Sequence, residues 1–411
     1  MRTLCTLFLL TLPLSSQSLA VRAKRVYTMA GDPIANGVVL VEGRTIRAVG
    51  PADSIAIPAG ALVLEAEVVT PGLIDAHSVV GLAGWLNYDH DQDQLDDSDP
   101  IQPELRAIDA YNPREPLIDV VRGYGVTTLH TGHAPGAVIT GQTAIFKTRG
   151  ETVDEAVVNP FAMVAATLGD RATRSGKKSP GTRSKAVSLL RQELLKAQDY
   201  AKKHASGRDA EESEDDEEEK KGPPKRNLRL EALASVLAGD VPLLVTAQRA
   251  HDIVTALRVA EEFGLRLVLD GAGESYELID EIRAAGVPVI IHPTMTRASG
   301  ENENLSMETA ARLHAAGIPL ALQAGYENYV PKTRIVLFEA AIAARYGLAF
   351  EDALGLITID AARLLGIDDR VGSIEVGKDA DLALYDGDPF EYTSHCVGVV
   401  IEGEVVSEEV R

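Results

Sequence analysis

Cysteine is nearly absent from this 411-residue chain, which holds only Cys5 and Cys396. That scarcity excludes a scaffold stapled by disulfides and leaves stability to a packed core. Cys396 has no His/Asn pairing signature around it and reads as a small packed residue rather than a nucleophile. Beyond the N-terminus, no stretch approaches the roughly 18 consecutive apolar residues that a membrane span needs. Basic charge is also short: 40 Lys and Arg face 61 Asp and Glu, giving a net charge of -21. Nucleic acid and anionic membrane surfaces are therefore excluded as partners.

Much of the acid is local. Nine of the eleven residues from Asp209 to Glu219 are acidic, and the run from Asp89 to Asp99 adds six more. The second run places Asp89, Asp91 and Asp93 at the odd spacing of a Ca²⁺ loop. However, Gln94 stands where the sharp-turn Gly belongs and Pro100 where a closing Glu would sit, so a solvated loop is expected. Residues 205–227 are almost all charged, Gly, Ser or Pro, and are expected to form a disordered insertion.

The first twenty residues have the pattern of a secretory signal. Arg2 supplies a short positive region, residues 4–13 are apolar, and Ser18-Leu19-Ala20 fits a small-x-small cleavage pattern. Cleavage would remove Cys5 and export the protein to a periplasmic or extracellular location, with no membrane span left.

With 45% hydrophobic residues, the remainder can bury one large domain and a small satellite. Residues 38–50 form two short apolar strands around a Glu-Gly turn, and residues 380–385 and 397–406 repeat the pattern near the other end. Both chain ends, 21–68 and 373–411, are expected to build one β-sandwich. Between them, 69–372 alternate β-rich runs with helix-period segments. Strands are expected at 69–77, 126–131, 143–147, 162–166, 242–246, 265–270, 287–292 and 318–323. Eight parallel strands make an α/β fold, a (β/α)8 TIM-like barrel with its functional face at the strand C-termini.

Several stretches carry a family likeness: Pro71-Gly72-Leu73-Ile74-Asp75-Ala76-His77, Asp99-Pro100-Ile101-Gln102-Pro103, Gly125-Val126-Thr127-Thr128, Gly141-Gln142, Leu257-Arg258-Val259-Ala260 and Val371-Gly372-Ser373-Ile374-Glu375-Val376-Gly377-Lys378-Asp379-Ala380-Asp381-Leu382. From about Val26 to the C-terminus the chain resembles the imidazolonepropionase-like branch of the amidohydrolase superfamily. The resemblance implies a hydrolase of carbon-nitrogen bonds that holds Zn²⁺ at the barrel mouth, where metal-bound water loses a proton. It also implies a ligand set: His-x-His from strand one, a carboxylated Lys or a Glu from a middle strand, one His each from strands five and six, and an Asp from strand eight that doubles as general base.

This chain departs from that set at most positions. Strand one keeps His77 but has Val79 two residues later. Strand five offers Thr246 and Gln248, which do not replace imidazole, and Gly271 falls on the strand-six position. No Asp occurs between Asp280 and Asp352, so strand eight ends in Gln323 without its base. Glu327 is the substitute candidate for proton transfer. Lys147 is the candidate for the carboxylated Lys, with a structural role as the alternative. His130, His133 and His292 lie at or just beyond expected strand ends and could form a relocated imidazole site with His77.

Three readings follow. The leading one is an exported protein whose metal site has decayed and which acts as a non-catalytic or partner subunit, with no cofactor. It presents a mouth pocket lined by Thr246, Gln248, Gly271 and Gln323. The second is a hydrolase of cyclic-amide-like bonds with a rewired Zn²⁺ site. The third is a binding protein for a small ligand. Self-association or pairing with an intact paralogue is compatible with each.

Overall fold

The computed structural model describes residues 18–86, 88–173, 178–212, 225–294, 296, 298–326 and 335–411. In chain order the strands are β1 (Leu19–Val26), β2 (Ile34–Glu42), β3 (Thr45–Pro51), β4 (Leu62–Pro71), β5 (Leu73–Ser78), β6 (Val126–Thr131), β7 (Ile139–Lys147), β8 (Val157–Thr167), β9 (Leu243–Ala247), β10 (Leu267–Gly271), β11 (Val289–Ile291), β12 (Leu320–Leu322), β13 (Leu382–Tyr385), β14 (Cys396–Ile401) and β15 (Glu404–Ser407).

Both chain ends build one seven-stranded sheet in the order β15-β14-β13-β4-β1-β2-β3. Its alternating apolar residues, among them Val21, Val39, Ile46, Leu382 and Val400, enclose a common core. The sheet rolls so that its two Glu-Gly turns meet: Ala380 N donates to Arg44 O at 2.9 Å and Gly403 N donates to Ala380 O at 3.1 Å. β1 begins at Leu19, and its first ladder positions, Leu19 with Val41 and Ala20 with Leu40, precede the expected start at residue 21. A cut after Ala20 would remove both. Cys396 opens β14, and burial pushes its thiol up to about 12, as befits a packed rather than a reactive sulfur. Residues 1–17 of the expected signal lie outside the described residues.

The expected strand 69–77 is two strands in two sheets. Gly72 separates them because a Cβ there would fall 2.2 Å from Thr127 Oγ1. The backbone can therefore cross from the rolled sheet into the barrel only at a residue without a side chain.

The second sheet has eight strands in the order β12-β11-β10-β9-β8-β7-β6-β5. It closes through a parallel bridge between Ser78 and Gly325. The barrel architecture is as the sequence implied, but one strand is reversed. β7 pairs antiparallel with both β6 and β8. The connections 132–138 and 148–156 are shorter than the dozen or so residues a parallel crossover needs, so the chain can only double back. This corrects the expectation of eight parallel strands. Ile74, Ala76, Met163, Leu244, Val268 and Ile290 fill the barrel interior together with Ala361, Ala362 and Leu365 of the helix Ile359–Leu365.

The helix Arg183–Glu212 runs into the segment expected to be structureless. Its Ala, Lys, Glu and Gln content favours helix. Residues 213–224 of the expected insertion lie outside the described residues. No helix among the described residues is long and apolar enough to cross a membrane.

Candidate functional site at the barrel mouth

On β10, period-2 alternation turns Val268 and Asp270 into the barrel, and Asp270 is completely buried there. Its carboxylate is surrounded by donors. His77 Nδ1 lies 2.9 Å from Oδ1, Gln323 Nε2 donates to the same oxygen at 2.9 Å, and Thr246 Oγ1 donates to Oδ2 at 2.6 Å. Burial alone would raise this carboxyl. The His77 charge and the bonds from His77, Thr246 and Gln323 outweigh it and leave the group below the usual carboxylate range. Strands one, five, six and eight thus meet through four side chains that bond to one another.

Asp75, two residues before His77, has no such partners. Among the described residues its Oδ1 accepts from the backbone N–H groups of Ala324 at 3.0 Å and His77 at 3.3 Å. Burial pushes the carboxyl up to about 7 despite those bonds.

Each histidine of the envisaged relocated site has its own local surroundings. His130 Nδ1 sits 2.6 Å from Ala76 O and Nε2 2.7 Å from Thr143 Oγ1, so both ring nitrogens are engaged. His292 contacts Pro293 O at 3.2 Å and Thr309 Oγ1 at 3.4 Å. Both nitrogens of His133 are buried and lack a well-formed hydrogen bond among the described residues, with the Leu105 carbonyl as a weak acceptor. Burial pushes His130 down to about 3 and His133 and His292 to about 4, so all three rings are neutral near pH 7. His77 and His130 have ring centroids 5.5 Å apart.

Lys147 is not at the mouth, and the expectation that it could serve there is corrected. Because β7 is reversed, its C-terminal end faces the rolled sheet, and Lys147 pairs across β6 with Thr128. Its ammonium lies 2.5 Å from Asp381 and 3.4 Å from Asp379, a buried ion pair between barrel and sheet. Glu327 lies outside the described residues.

The strand-six position carries no side chain. Gly271 has φ +72°, which strains any L side chain, and a Cβ there would fall 2.3 Å from Gln248 Nε2, so a histidine would need both a strained backbone and a displaced Gln248. Gln248 itself bridges Tyr326 Oη at 3.3 Å and Gly273 N at 3.1 Å. The buried Tyr326 ring lies over this layer, 5.7 Å from His77. A cavity of about 460 Å³ opens beside Tyr326, against the acidic loop. Thr246 and Gln323 are buried, and neither lines that cavity.

The donor set does not fit a divalent ion. His77 Nδ1 and both oxygens of Asp270 are committed to one another and to Thr246 and Gln323. Only His77 Nε2 lacks a partner on that ring. Among the described residues no three His, Cys, Asp or Glu side chains converge as a metal site. Sequence reasoning named His77, Thr246 and Gln323 singly but missed Asp270, Asp75 and Tyr326. The inward phase of residues 268 and 270 was the available signal for Asp270.

The sequence model of the Amidohydrolase family matches residues 332–407. The chain is 26% identical over 395 residues to the amidohydrolase tasK of Hapsidospora irregularis, a match covering 89% of this chain and 39% of that one, so it spans well under half of that relative. It is 26% identical over 389 residues to an imidazolonepropionase of Rhizobium rhizogenes, covering 88% and 89% of the two chains. The crystal structure of an amidohydrolase from Thermotoga maritima MSB8 superposes with a TM-score of 0.88 at 30% identity, covering 95% of this chain and 100% of that one. Given the rolled sheet, the eight-stranded barrel and the breadth of the match to the Thermotoga structure, this chain belongs to the amidohydrolase family and has imidazolonepropionases among its relatives.

Proposed function

We propose that this chain is an exported, catalytically silent amidohydrolase that acts as a partner subunit through its barrel mouth. One observation carries the reading: the Asp270 carboxylate accepts from His77, Thr246 and Gln323. Those four side chains bond to one another at the height where relatives would place an ion and its activated water, and the Asp270 carboxylate is committed to them. A site of this kind has neither an open coordination position nor a base beside one, and both are required for metal-assisted hydrolysis. Export rests on the N-terminal pattern alone. The rewired hydrolase is less well supported, because His130, His133 and His292 each sit in separate local contacts.

The reading is tested by incubating the full chain with added Zn²⁺ and a panel of lactams, cyclic imides and dipeptides. Turnover is expected to equal that of buffer, with His77→Ala and His292→Ala indistinguishable from the parent protein. Zinc-dependent hydrolysis abolished by either substitution would overturn it.

A further inference from the structure

The cavity beside Tyr326 has charged groups at its rim that make no ion pair among the described residues. Arg171 lines it with its guanidinium carbon 5.7 Å from the Tyr326 ring centroid, and it makes no ion pair among the described residues. Its charge reaches Glu301, but that carboxylate accepts instead from Asp170 N. On the same wall Gln92 Nε2 donates to Asp91 O at 2.6 Å, which leaves its Oε1 to accept from Gln94 Nε2 at 3.0 Å. The orientation of both amides is thereby fixed, and Gln94 Oε1, on a residue only 5% exposed, is left without a donor. Asp97 lies exposed on the rim, and Leu95, Pro135 and the Tyr326 ring supply apolar wall.

We propose that this cavity binds a small zwitterion, an amine and a carboxylate joined by a short methylene chain, and holds it intact. The carboxylate meets Arg171, whose planar fork suits it. The ammonium meets Gln94 Oε1 and Asp97, and the chain lies against Tyr326 and Leu95. A buried acceptor with no donor is costly, so a ligand N–H that supplies one gains more than a solvent-exposed contact would. The inference rests on the non-catalytic reading, because it requires a ligand that is held and not cut.

Isothermal titration calorimetry of the full chain with glycine, γ-aminobutyrate and ε-aminocaproate tests it, each compound being compared with its N-acetyl and carboxamide derivatives. At least one parent compound is expected to bind one-to-one, and either cap is expected to weaken it by about tenfold or more. Arg171→Met and Asp97→Asn should weaken it similarly while leaving the unfolding midpoint unchanged. The proposal is overturned if no parent compound gives a saturable heat, if binding survives both caps, or if both variants bind like the parent protein. None of the three parent compounds has a bond for a hydrolase to cut. Their failure would therefore leave the non-catalytic reading standing, whereas zinc-dependent turnover elsewhere would remove that reading alone.

Discussion

The folded protein is expected to lose stability steeply as pH falls from 6.5 to 4. His130, His133 and His292 are buried and neutral, with values near 3, 4 and 4 against the ordinary imidazole value of 6.5. Below 6.5 the unfolded chain takes up protons that the native state refuses. The stability is thus fully present above 6.5 and is withdrawn as pH drops toward the folded values. At full extent each histidine accounts for about 3–5 kcal/mol. Asp75 acts in the opposite sense. Its folded value near 7 lies above its ordinary 3.8, so its contribution is present below 3.8 and lost as pH rises toward 7. It offsets one histidine in the shared window. Urea midpoints should therefore rise from pH 4 to about 6.5 and level off above 7, and Asp75→Asn should steepen the acid limb. A flat profile between pH 4.5 and 6.5 would contradict the assignment of three neutral buried imidazoles.

Asp270→Ala is expected to destabilise the protein by about 3–5 kcal/mol, because it removes the one carboxylate that three buried side chains share and leaves them without it. The loss is larger than that of a single neutral hydrogen bond for a reason visible in the geometry. His77, Thr246 and Gln323 all direct donors at this one carboxylate, and all three are buried. Replacing Asp270 and His77 together by leucine should recover part of the loss, since two desolvated polar groups leave at once, while Thr246 and Gln323 still lack their acceptor. Denaturant titration of the three proteins reads both effects. A cost below about 1 kcal/mol for Asp270→Ala would mean that the network is not a stabilising unit.

The fold was largely legible in the sequence, and its exceptions share a cause. β6 runs from Val126 to Thr131 as expected, and the motif ending in Asp381-Leu382 leads into a strand of the rolled sheet. The direction of β7 was not legible from its own residues, because alternation specifies which face is buried and not which way a strand runs. Only the short connections 132–138 and 148–156 carried that information, and reading the strand as parallel placed Lys147 at the wrong end. In the site, the departures from the ligand set that the family resemblance implies were legible one residue at a time, at Val79, Thr246, Gly271 and Gln323. The network that joins His77, Thr246, Asp270 and Gln323 was not, because it requires four strands to bring them to one height and an irregularity between Asp75 and Ser78 that alternation does not reveal. The hydrogen-bond partners of His130 and His292 are residues whose identity no strand pattern reveals.

The most direct test of a mouth closed by its own side chains is metal content. Full-length protein purified without chelator from zinc-supplemented medium should carry far less than one Zn²⁺ per chain when measured by ICP-MS after dialysis. One tightly held ion per chain, lost in His77→Ala, would contradict the account.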